Sequence, residues 1–222
     1  MCSAAKRAPR HKLDLRCYLI TASGTFDEVI ATATQAARGG AGIIQVRSKP
    51  ISARDLFELS RRLSRAVYEA NPATHVVIDD RADVAAALMR AGENVHGVHV
   101  GQDDLPATAV REFLGPDAII GLTTGTLELV RAVEQVLDIV DYIGCGPFRA
   151  TPTKDSGRAP IGLKGYPALV DASPVPLVAI GDVTAADAPA LAAAGVDGVA
   201  VVRGFAHSDD PAAYAREILE AF

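Results

Sequence analysis

Polar side chains follow one short apolar run of the chain at a spacing that could bind an anion. Gln45, Arg47 and Lys49 occupy alternate positions there, so a strand would place all three on one side. An arginine and a lysine buried without a counter-charge would be costly, and either an anionic ligand or neighbouring acids must supply that charge. The segment therefore predicts an anion-binding site or an internal ring of salt bridges.

Pairs of aspartates follow the next two apolar runs. Asp79 and Asp80 follow one run, and Asp103 and Asp104 follow the next. If the two runs are adjacent strands, Asp80 and Asp104 could share a hard cation such as Mg²⁺, which commonly takes one or two carboxylates and completes its shell with phosphate oxygens and water. This arrangement favours metal-assisted diphosphate chemistry. Each aspartate could instead be a cap or an ion-pair partner, and Asp79 or Asp103 could replace either metal ligand.

Two hydroxyls and an ammonium group lie close together in residues 151–154, whose sequence is TPTK. Thr151, Thr153 and Lys154 are donors suited to phosphate oxygens, and Pro152 would stiffen the turn that carries them. The same residue types are also common in surface turns. The segment therefore predicts a second group of phosphate-binding side chains, with an ordinary surface loop as the alternative.

Short apolar runs rich in valine and isoleucine alternate eight times with longer helical patterns. They are near-continuous, as is typical of strands buried on both faces of a parallel sheet, and cover residues 17–20, 42–46, 75–78, 95–100, 118–121, 141–145, 177–180 and 198–202. Eight such units predict an α/β protein with a single-domain (β/α)8 TIM barrel over residues 16–222, after a flexible extension over residues 1–15. A doubly wound open sheet is the alternative, but its glycine fingerprint is missing after the first run.

The segments between the runs repeat apolar residues three and four positions apart, which predicts amphipathic helices. Such patterns cover residues 26–38, 52–70, 82–91, 126–137 and 185–194. Ser52 and Thr126 are predicted N-caps, and Gly92 and Gly195 follow predicted helix ends. In a barrel of this kind the active site lies at the carboxyl ends of the strands, where the polar groups above are found.

The composition limits the partners and the compartment of the protein. The chain has 222 residues, 49% hydrophobic and 22% charged, and its net charge of -5 provides no basic field for nucleic acid. No apolar run approaches the ~18 residues of a membrane span, and the amino terminus lacks the apolar centre of a secretory signal. Cys2, Cys17 and Cys145 lack metal-ligand spacing and are expected to be reduced thiols. We therefore expect a cytoplasmic protein that binds small molecules and neither nucleic acid nor membranes.

Four motifs, in this order, resemble those of the thiamine-phosphate synthase family, whose members are also called thiamine-phosphate pyrophosphorylases. They are residues 45–49 (QVRSK; family Q-[LV]-R-x-K), 79–83 (DDRAD; N-D-R-x-D), 99–104 (HVGQDD; H-[LIV]-G-Q-x-D), and 144–147 with 151–154 (GCGP and TPTK; G-x-G-P and T-x-T-K). The resemblance covers most of the chain, from residue 16 to residue 221, and implies the barrel fold.

The resemblance implies a transferase that joins hydroxymethylpyrimidine diphosphate to thiazole phosphate, releases pyrophosphate and makes thiamine phosphate. Diphosphate would leave first, and the thiazole nitrogen would attack the stabilised pyrimidine methylene cation. Mg²⁺ is the implied cofactor, with Asp80 and Asp104 as its ligands. Arg47, Lys49 and Lys154 are the implied catalytic residues and bind the diphosphate. The other implied substrate-binding residues are Gln45 and His99 at the pyrimidine, Thr123, Thr151 and Thr153 at phosphate oxygens, and Asp79, Gly181, Asp182, Val202 and Arg203.

The chain departs from the family pattern at both phosphate sites. Asp79 stands where the family has asparagine, and Gly125 stands where it has a histidine two residues after Thr123. Asp182 replaces the second glycine of a pair that receives the thiazole phosphate, and Arg203 follows the last strand in place of a small serine. A carboxylate ~4 Å from a phosphate would be repelled by several kcal/mol at a dielectric of ~20. We therefore expect Asp182 and Arg203 to pair, either orienting the arginine toward the phosphate or filling the pocket.

Two alternatives to a working synthase stay open at this point. A thiazole tautomerase shares the barrel but would be expected to use the histidine that Gly125 replaces. A diverged paralogue could bind a phosphorylated ligand without turnover, as the altered phosphate site suggests. Retention of Arg47, Lys49, Asp80 and Asp104 favours catalysis, because a binder would not need the whole diphosphate apparatus. Analogy with other barrel enzymes also suggests a homodimer.

Overall fold

Eight parallel strands form a closed barrel in a computed structural model that describes residues 12–150 and 159–222. Each strand pairs with the next along the chain, and the last pairs with the first. The strands are β1 (Cys17–Ile20), β2 (Ile43–Val46), β3 (His75–Asp79), β4 (Gly97–Val100), β5 (Ile119–Thr124), β6 (Tyr142–Cys145), β7 (Leu177–Ile180) and β8 (Gly198–Val201). The predicted barrel is therefore confirmed, and the open-sheet alternative is wrong.

Helices pack around the barrel in the described part of the chain. They are α1 (Phe26–Arg38), α2 (Ala53–Ala70), α3 (Ala82–Arg90), α4 (Ala107–Leu114), α5 (Leu127–Ala132), α6 (Gly162–Ala172), α7 (Ala188–Ala193), α8 (Arg203–Ala206) and α9 (Pro211–Leu219). Short 3-10 helices at Val133–Val136 and Ala185–Asp187 adjoin α5 and α7. None of the helices in residues 12–150 and 159–222 has the length and apolar character that a bilayer crossing requires.

Side-chain caps fix the starts of two predicted helices. Ser52 accepts a hydrogen bond from the backbone N–H of Asp55 at 3.0 Å, directly before α2. Thr126 accepts one from the N–H of Leu129 at 3.2 Å, directly before α5. Each cap satisfies an N–H group that has no partner within its helix. Both predicted N-caps are therefore confirmed.

Some predicted boundaries differ from the structure. β4 begins at Gly97 rather than at Val95, because the N–H of Val95 bonds to the carbonyl of Glu93 in the preceding turn, at 2.8 Å. β5 continues three residues beyond its predicted end, since Thr123 and Thr124 pair with β6. The longer β5 carries Thr123 to the end of the barrel where the strands terminate.

Apolar side chains are buried on both faces of the sheet. Ile43 belongs to the cluster inside the barrel, whereas the adjacent Ile44 packs between the strands and the helices. This double burial explains why the strands are continuously apolar in the sequence. Leu15, which precedes β1, belongs to the inner cluster, and Leu13 packs against it. Residues 1–11 of the predicted flexible extension lie outside the described residues.

Candidate active site

A cavity of about 390 Å³ lies at the carboxyl ends of the strands, the usual position of the active site in this fold. The predicted site residues that line it are Gln45, Arg47, Lys49, Asp79, Asp80, His99, Asp104, Thr123, Gly181, Asp182, Val202 and Arg203. Three other predicted site residues lie outside the described residues: Thr151, Thr153 and Lys154. The structure thus brings the described candidates together in one cavity, while their roles stay predictions.

Arg47 and Lys49, at the end of β2, face two aspartates at the end of β3. Lys49 forms an ion pair with Asp80, and its Nζ lies 3.1 Å from Oδ2 of Asp79. Arg47 Nε lies 3.5 Å from the same Asp79 oxygen. Asp80 has a φ of 59°, in the left-handed region that residues other than glycine rarely adopt. Neighbouring acids therefore supply a counter-charge to both cations. We call Arg47, Lys49, Asp79, Asp80 and Asp104 the β3 rim of the cavity.

The carboxyl groups of the β3 rim disfavour one another's charge. Burial raises the pKa of Asp79, and the charge of Asp80 raises it further. Burial likewise raises the pKa of Asp104, against a hydrogen bond of 2.7 Å from the N–H of Gly101, and the nearby Asp80 adds to the increase. Carboxylates in this situation fit a divalent cation, which compensates their charge.

The number of carboxylates at the β3 rim also indicates which cation this rim could bind. In residues 12–150 and 159–222, no group of three or more His, Cys, Asp or Glu side chains could hold a metal ion by itself. Asp80 and Asp104 would supply two carboxylate ligands, and Mg²⁺ is commonly held by one or two carboxylates with substrate phosphates and water. The residues present therefore fit a magnesium ion that is bound together with a phosphorylated ligand.

Five polar side chains from five different strands form a hydrogen-bonded chain across the bottom of the cavity. Gln45 Nε2 donates to the Tyr18 hydroxyl at 2.8 Å, and this hydroxyl lies 2.8 Å from that of Tyr142. The Tyr142 hydroxyl lies 3.1 Å from Nδ1 of His99, and Nε2 of His99 lies 3.0 Å from the Thr123 hydroxyl. We call this set, from Gln45 to Thr123, the floor chain.

Glycines make room for the floor chain. A methyl group at Gly121 would overlap both His99 and Tyr142, and one at Gly144 would lie 3.2 Å from Cε1 of His99. Tyr18 and Tyr142 are buried, and burial raises the pKa of both hydroxyls well above the ordinary value. The floor chain therefore contains neutral hydroxyls that can donate and accept hydrogen bonds.

Asp182 and Arg203 form an ion pair on the opposite side of the cavity, four strands away from Asp80. Asp182 follows β7 and has a φ of 57°, again in the left-handed region. It comes directly after Gly181, which has a φ of 101° and packs so closely on Pro147 that a side chain would overlap it. The expected pairing of Asp182 with Arg203 is therefore present in the structure.

Arg149 holds the turn that carries Asp182. Its guanidinium donates to the Asp182 carbonyl at 3.0 Å and to the Asp187 carboxylate at 2.8 Å. Burial would raise the pKa of Asp187, but hydrogen bonds from Arg149 and Thr184 outweigh burial and lower the pKa. We call Arg149, Asp182, Asp187 and Arg203 the β7 rim. The charges of its two positive and two negative side chains cancel.

The sequence does not predict three residues that the structure adds to the site: Tyr18, Tyr142 and Arg149. A signal for the tyrosines does exist in the sequence, because each places a hydroxyl in an apolar run whose alternate side chains face the barrel interior. Arg149 has no comparable local signal, since the two residues it bonds are 33 and 38 positions further along the chain.

Most of the chain is similar to proteins of one enzyme family. Residues 17–205 match the family model of thiamine monophosphate synthase. The chain is 60% identical to the thiamine-phosphate synthase of Corynebacterium jeikeium, over 95% of each chain, and 57% identical to that of Corynebacterium efficiens, over 94% of this chain and 95% of the relative. A solved thiamine phosphate pyrophosphorylase from Pyrococcus furiosus has a TM-score of 0.79 and 28% identity, over 94% of this chain and 95% of the other. This chain belongs to the thiamine monophosphate synthase family and is a transferase of thiamine biosynthesis.

Proposed function

We propose that the enzyme joins hydroxymethylpyrimidine diphosphate to thiazole phosphate, releases pyrophosphate and forms thiamine phosphate. The observation that carries this proposal is one cavity with two charged rims on opposite sides of a hydrogen-bonding floor. The β3 rim combines cations with paired acids, as a metal-bound diphosphate requires. The β7 rim offers an arginine to a phosphate, and the floor chain presents polar groups to a heterocycle between them.

The β3 rim binds the diphosphate in this proposal. Arg47 and Lys49 contribute fixed positive charge, and Asp80 and Asp104 hold Mg²⁺, whose charge neutralises diphosphate oxygens when it is bound. Negative charge on the diphosphate grows as its bond to the pyrimidine methylene breaks, so positive groups aimed at it stabilise the transition state more than the ground state. Further donors are proposed from outside the described residues: Thr151, Thr153 and Lys154.

The bond changes in this scheme need no nucleophilic side chain and no general base. The carbon–oxygen bond to the diphosphate breaks first, the pyrimidine ring stabilises the methylene cation, and the thiazole nitrogen attacks that carbon. Gln45 and His99 orient the pyrimidine ring, while Thr123 donates a hydrogen bond to a diphosphate oxygen. The contribution of the protein is therefore positioning and electrostatic stabilisation.

The β7 rim receives the phosphate of the thiazole substrate. Arg203 supplies the positive charge, and the Asp182 carboxylate orients the guanidinium before the substrate arrives, which lowers the entropy lost on binding. Gly181 allows the backbone to approach the ligand closely, and Val202 completes the wall of the cavity. Arg149 is a positioning residue here, because it bonds the carbonyl of Asp182 rather than facing the cavity.

Product formation by the purified full-length chain tests this proposal. With Mg²⁺ and both substrates, we expect pyrophosphate and thiamine phosphate to appear in equal amounts. Omission of the thiazole phosphate, or chelation of the metal with EDTA, should abolish thiamine phosphate formation. Binding of both substrates without any release of pyrophosphate would reject the synthase mechanism in favour of a protein that binds its ligands without turnover.

The proposal extends to a cytoplasmic location and a homodimer. Cys17 and Cys145 are buried thiols, which suits a reducing compartment. The homodimer is supported by analogy with other enzymes of this fold. Cell fractionation and light scattering on the full-length chain test the two statements, and a monomer in solution would reject the second.

A further inference from the structure

The floor chain links the two ends of the proposed pyrimidine diphosphate site through buried hydrogen bonds. Gln45 forms one end and Thr123 the other, and both line the cavity. Between them lie Tyr18, Tyr142 and His99, with distances of 2.8 to 3.1 Å from each polar atom to the next. The five residues come from five strands, so the floor chain crosses the barrel. A change in hydrogen bonding at one end can therefore reach the other end.

All the hydrogen bonds of the floor chain must be donated in the same direction along it. A hydroxyl has one hydrogen to donate, and a neutral imidazole has one donor and one acceptor nitrogen. A buried hydroxyl that donated to neither neighbour would leave its hydrogen unsatisfied, at a cost in free energy. If Tyr18 donates to Tyr142, Tyr142 therefore donates to Nδ1 of His99. Nε2 of His99 then donates to Thr123, and reversal of one hydrogen bond reverses them all.

The direction decides what each end offers to a ligand. When donation runs from Gln45 toward Thr123, the amide of Gln45 uses Nε2 for Tyr18 and keeps Oε1 as an acceptor for the cavity. Thr123 then accepts from His99 and has its own hydrogen for a ligand. In the opposite direction Thr123 donates to His99. Gln45 then turns Oε1 toward Tyr18 and offers Nε2 to the cavity.

We propose that the bound diphosphate sets the direction of the floor chain and thereby selects a pyrimidine that carries an amino group. The inference rests on the proposed function, which places a diphosphate oxygen at Thr123 and the pyrimidine at Gln45. A diphosphate oxygen without a proton accepts hydrogen bonds and donates none, so it holds Thr123 as a donor and fixes the direction from Gln45 to Thr123. Gln45 Oε1 then faces the ring as an acceptor, which matches an exocyclic amino group and opposes an oxo group.

Tyr18 and Tyr142 are positioning residues in this scheme. They have no bond to break or form, and they act by transmitting the direction of hydrogen bonding to Gln45. Hydrogen bonds in such a chain polarise one another, so an anion at one end strengthens the acceptor at the other end. The two halves of the substrate should therefore bind cooperatively even when they are not joined.

Binding of the two separated halves tests this coupling. The probes are Mg²⁺-pyrophosphate and an aminopyrimidine that carries a plain methyl group in place of the methylene diphosphate, both titrated into the full-length protein by calorimetry. In the wild type, we expect saturating Mg²⁺-pyrophosphate to tighten binding of the aminopyrimidine by about five-fold or more, as is typical of coupled sites. The corresponding oxopyrimidine should not bind more tightly when pyrophosphate is present.

Phenylalanine variants interrupt the floor chain without substituting Gln45 or Thr123 at its ends. Tyr142→Phe should still bind both probes, but the coupling should fall below about two-fold, and Tyr18→Phe should have the same effect. Tyr166→Phe is the matched control, because this equally buried tyrosine donates to the carbonyl of Cys145 at 2.9 Å and lies outside the floor chain. It should keep the coupling of the wild type. Thermal unfolding verifies that each variant is folded.

Four outcomes separate this inference from the proposed function. Loss of coupling in Tyr142→Phe and Tyr18→Phe, with coupling retained in Tyr166→Phe, supports the inference. Coupling that survives in Tyr142→Phe, or is lost equally in Tyr166→Phe, overturns it. A wild type that makes thiamine phosphate but binds the two probes independently overturns the inference and leaves the proposed function standing. A wild type that binds neither probe and makes no product rejects both.

Discussion

The two rims of the cavity repeat one local arrangement in two different settings. At the β3 rim Asp80 pairs with Lys49, and at the β7 rim Asp182 pairs with Arg203. Asp80 directly follows β3, and Asp182 is separated from β7 by Gly181 alone. Both aspartates have a left-handed φ, of 59° and 57°, and each cation follows the adjacent strand. Among the described residues, these aspartates are the non-glycine residues with positive φ. Such strained backbone is concentrated at functional sites.

The neighbours of the two aspartates make the rims chemically different. Asp79 and Asp104 add carboxylates beside Asp80, and burial is the main cause that raises the pKa of each. Beside Asp182 the additional acid is Asp187, whose pKa is lowered and which has Arg149 as its partner. A surplus of carboxylates fits a cation, whereas the balanced set leaves Arg203, held by Asp182, to attract a phosphate. One backbone turn can therefore serve a metal-bound diphosphate or a single phosphate, depending on its neighbours.

Removal of the Asp80 charge should have the largest effect on activity, because it changes the β3 rim and leaves the β7 rim intact. Asparagine tolerates the left-handed conformation, so Asp80→Asn keeps the turn and removes a proposed Mg²⁺ ligand. We expect kcat/KM to fall by about 100-fold or more, the scale of losing one electrostatic contact to the transition state. Steady-state assays at several Mg²⁺ concentrations measure it.

Asp83→Asn is the control for that variant. Asp83 lies in the same segment and pairs with Arg81, outside the residues that line the cavity. Its activity should stay within about two-fold of the wild type, as is usual for surface substitutions. Similar activity losses in Asp80→Asn and Asp83→Asn would remove the evidence for a metal site at the β3 rim.

Arg203→Met should weaken thiazole phosphate binding by about 10- to 100-fold, since a charge-assisted hydrogen bond is lost and Asp182 is left beside the phosphate without its partner. Calorimetric titration measures this loss. The thiazole alcohol, which has no phosphate, is the control ligand and should show a much smaller change. Equal losses for both ligands would mean that Arg203 shapes the cavity rather than binding the phosphate.

The stability of the two rims should respond to pH with opposite signs. The pKa of Asp79 is raised in the folded state, so its ionisation destabilises the fold as pH rises. Asp79→Asn should therefore increase the free energy of unfolding at neutral pH by on the order of 1 kcal/mol, and the gain should vanish below the usual carboxyl pKa. The pKa of Asp187 is lowered, so its stabilisation is present above the unfolded-state pKa and is lost as pH falls through the folded-state pKa.

Asp187→Asn should accordingly destabilise the protein at neutral pH, by on the order of 1 kcal/mol, and have a smaller effect in acid. Urea unfolding of both variants and the wild type, at neutral pH and near pH ~3, measures the two differences. Changes of the same sign at neutral pH would show that the two rims do not differ in charge balance in the proposed way.

Asp182→Asn should have the smallest effect. It keeps the left-handed turn and removes the carboxylate that orients Arg203, so thiazole phosphate should bind about two- to five-fold more weakly, the range of a partly exposed ion pair. The same titration measures it. Tighter binding in this variant would instead mean that Asp182 fills the phosphate site, which is the other reading of the pair.

The strand ends of this site could be predicted from the sequence because each depends on a short-range pattern. Apolar runs identify the strands, the barrel places their carboxyl ends together, and the polar residues that follow must then face one cavity. The pairing of Asp182 with Arg203 could be expected for the same reason, since two adjacent strand ends each carry an unusual charge.

The floor chain and Arg149 could not be predicted in the same way. Tyr18 and Tyr142 meet across 124 positions, and their contact depends on the register of the whole barrel. The left-handed conformation of Asp80 has only a weak local signal, because aspartate adopts it less readily than glycine. Arg149 bonds Asp187 across 38 positions, through the conformations of two loops. These features follow from closure of the fold rather than from any one segment.

A binding experiment with two ligands and two variants tests most directly whether the two rims bind different phosphate groups. Mg²⁺-pyrophosphate and thiazole phosphate are each titrated into the wild type, Asp80→Asn and Arg203→Met. We predict that Asp80→Asn loses affinity for Mg²⁺-pyrophosphate by about ten-fold or more and keeps thiazole phosphate binding, while Arg203→Met does the reverse. If either variant weakened both ligands to the same extent, the two rims would not be separate phosphate sites.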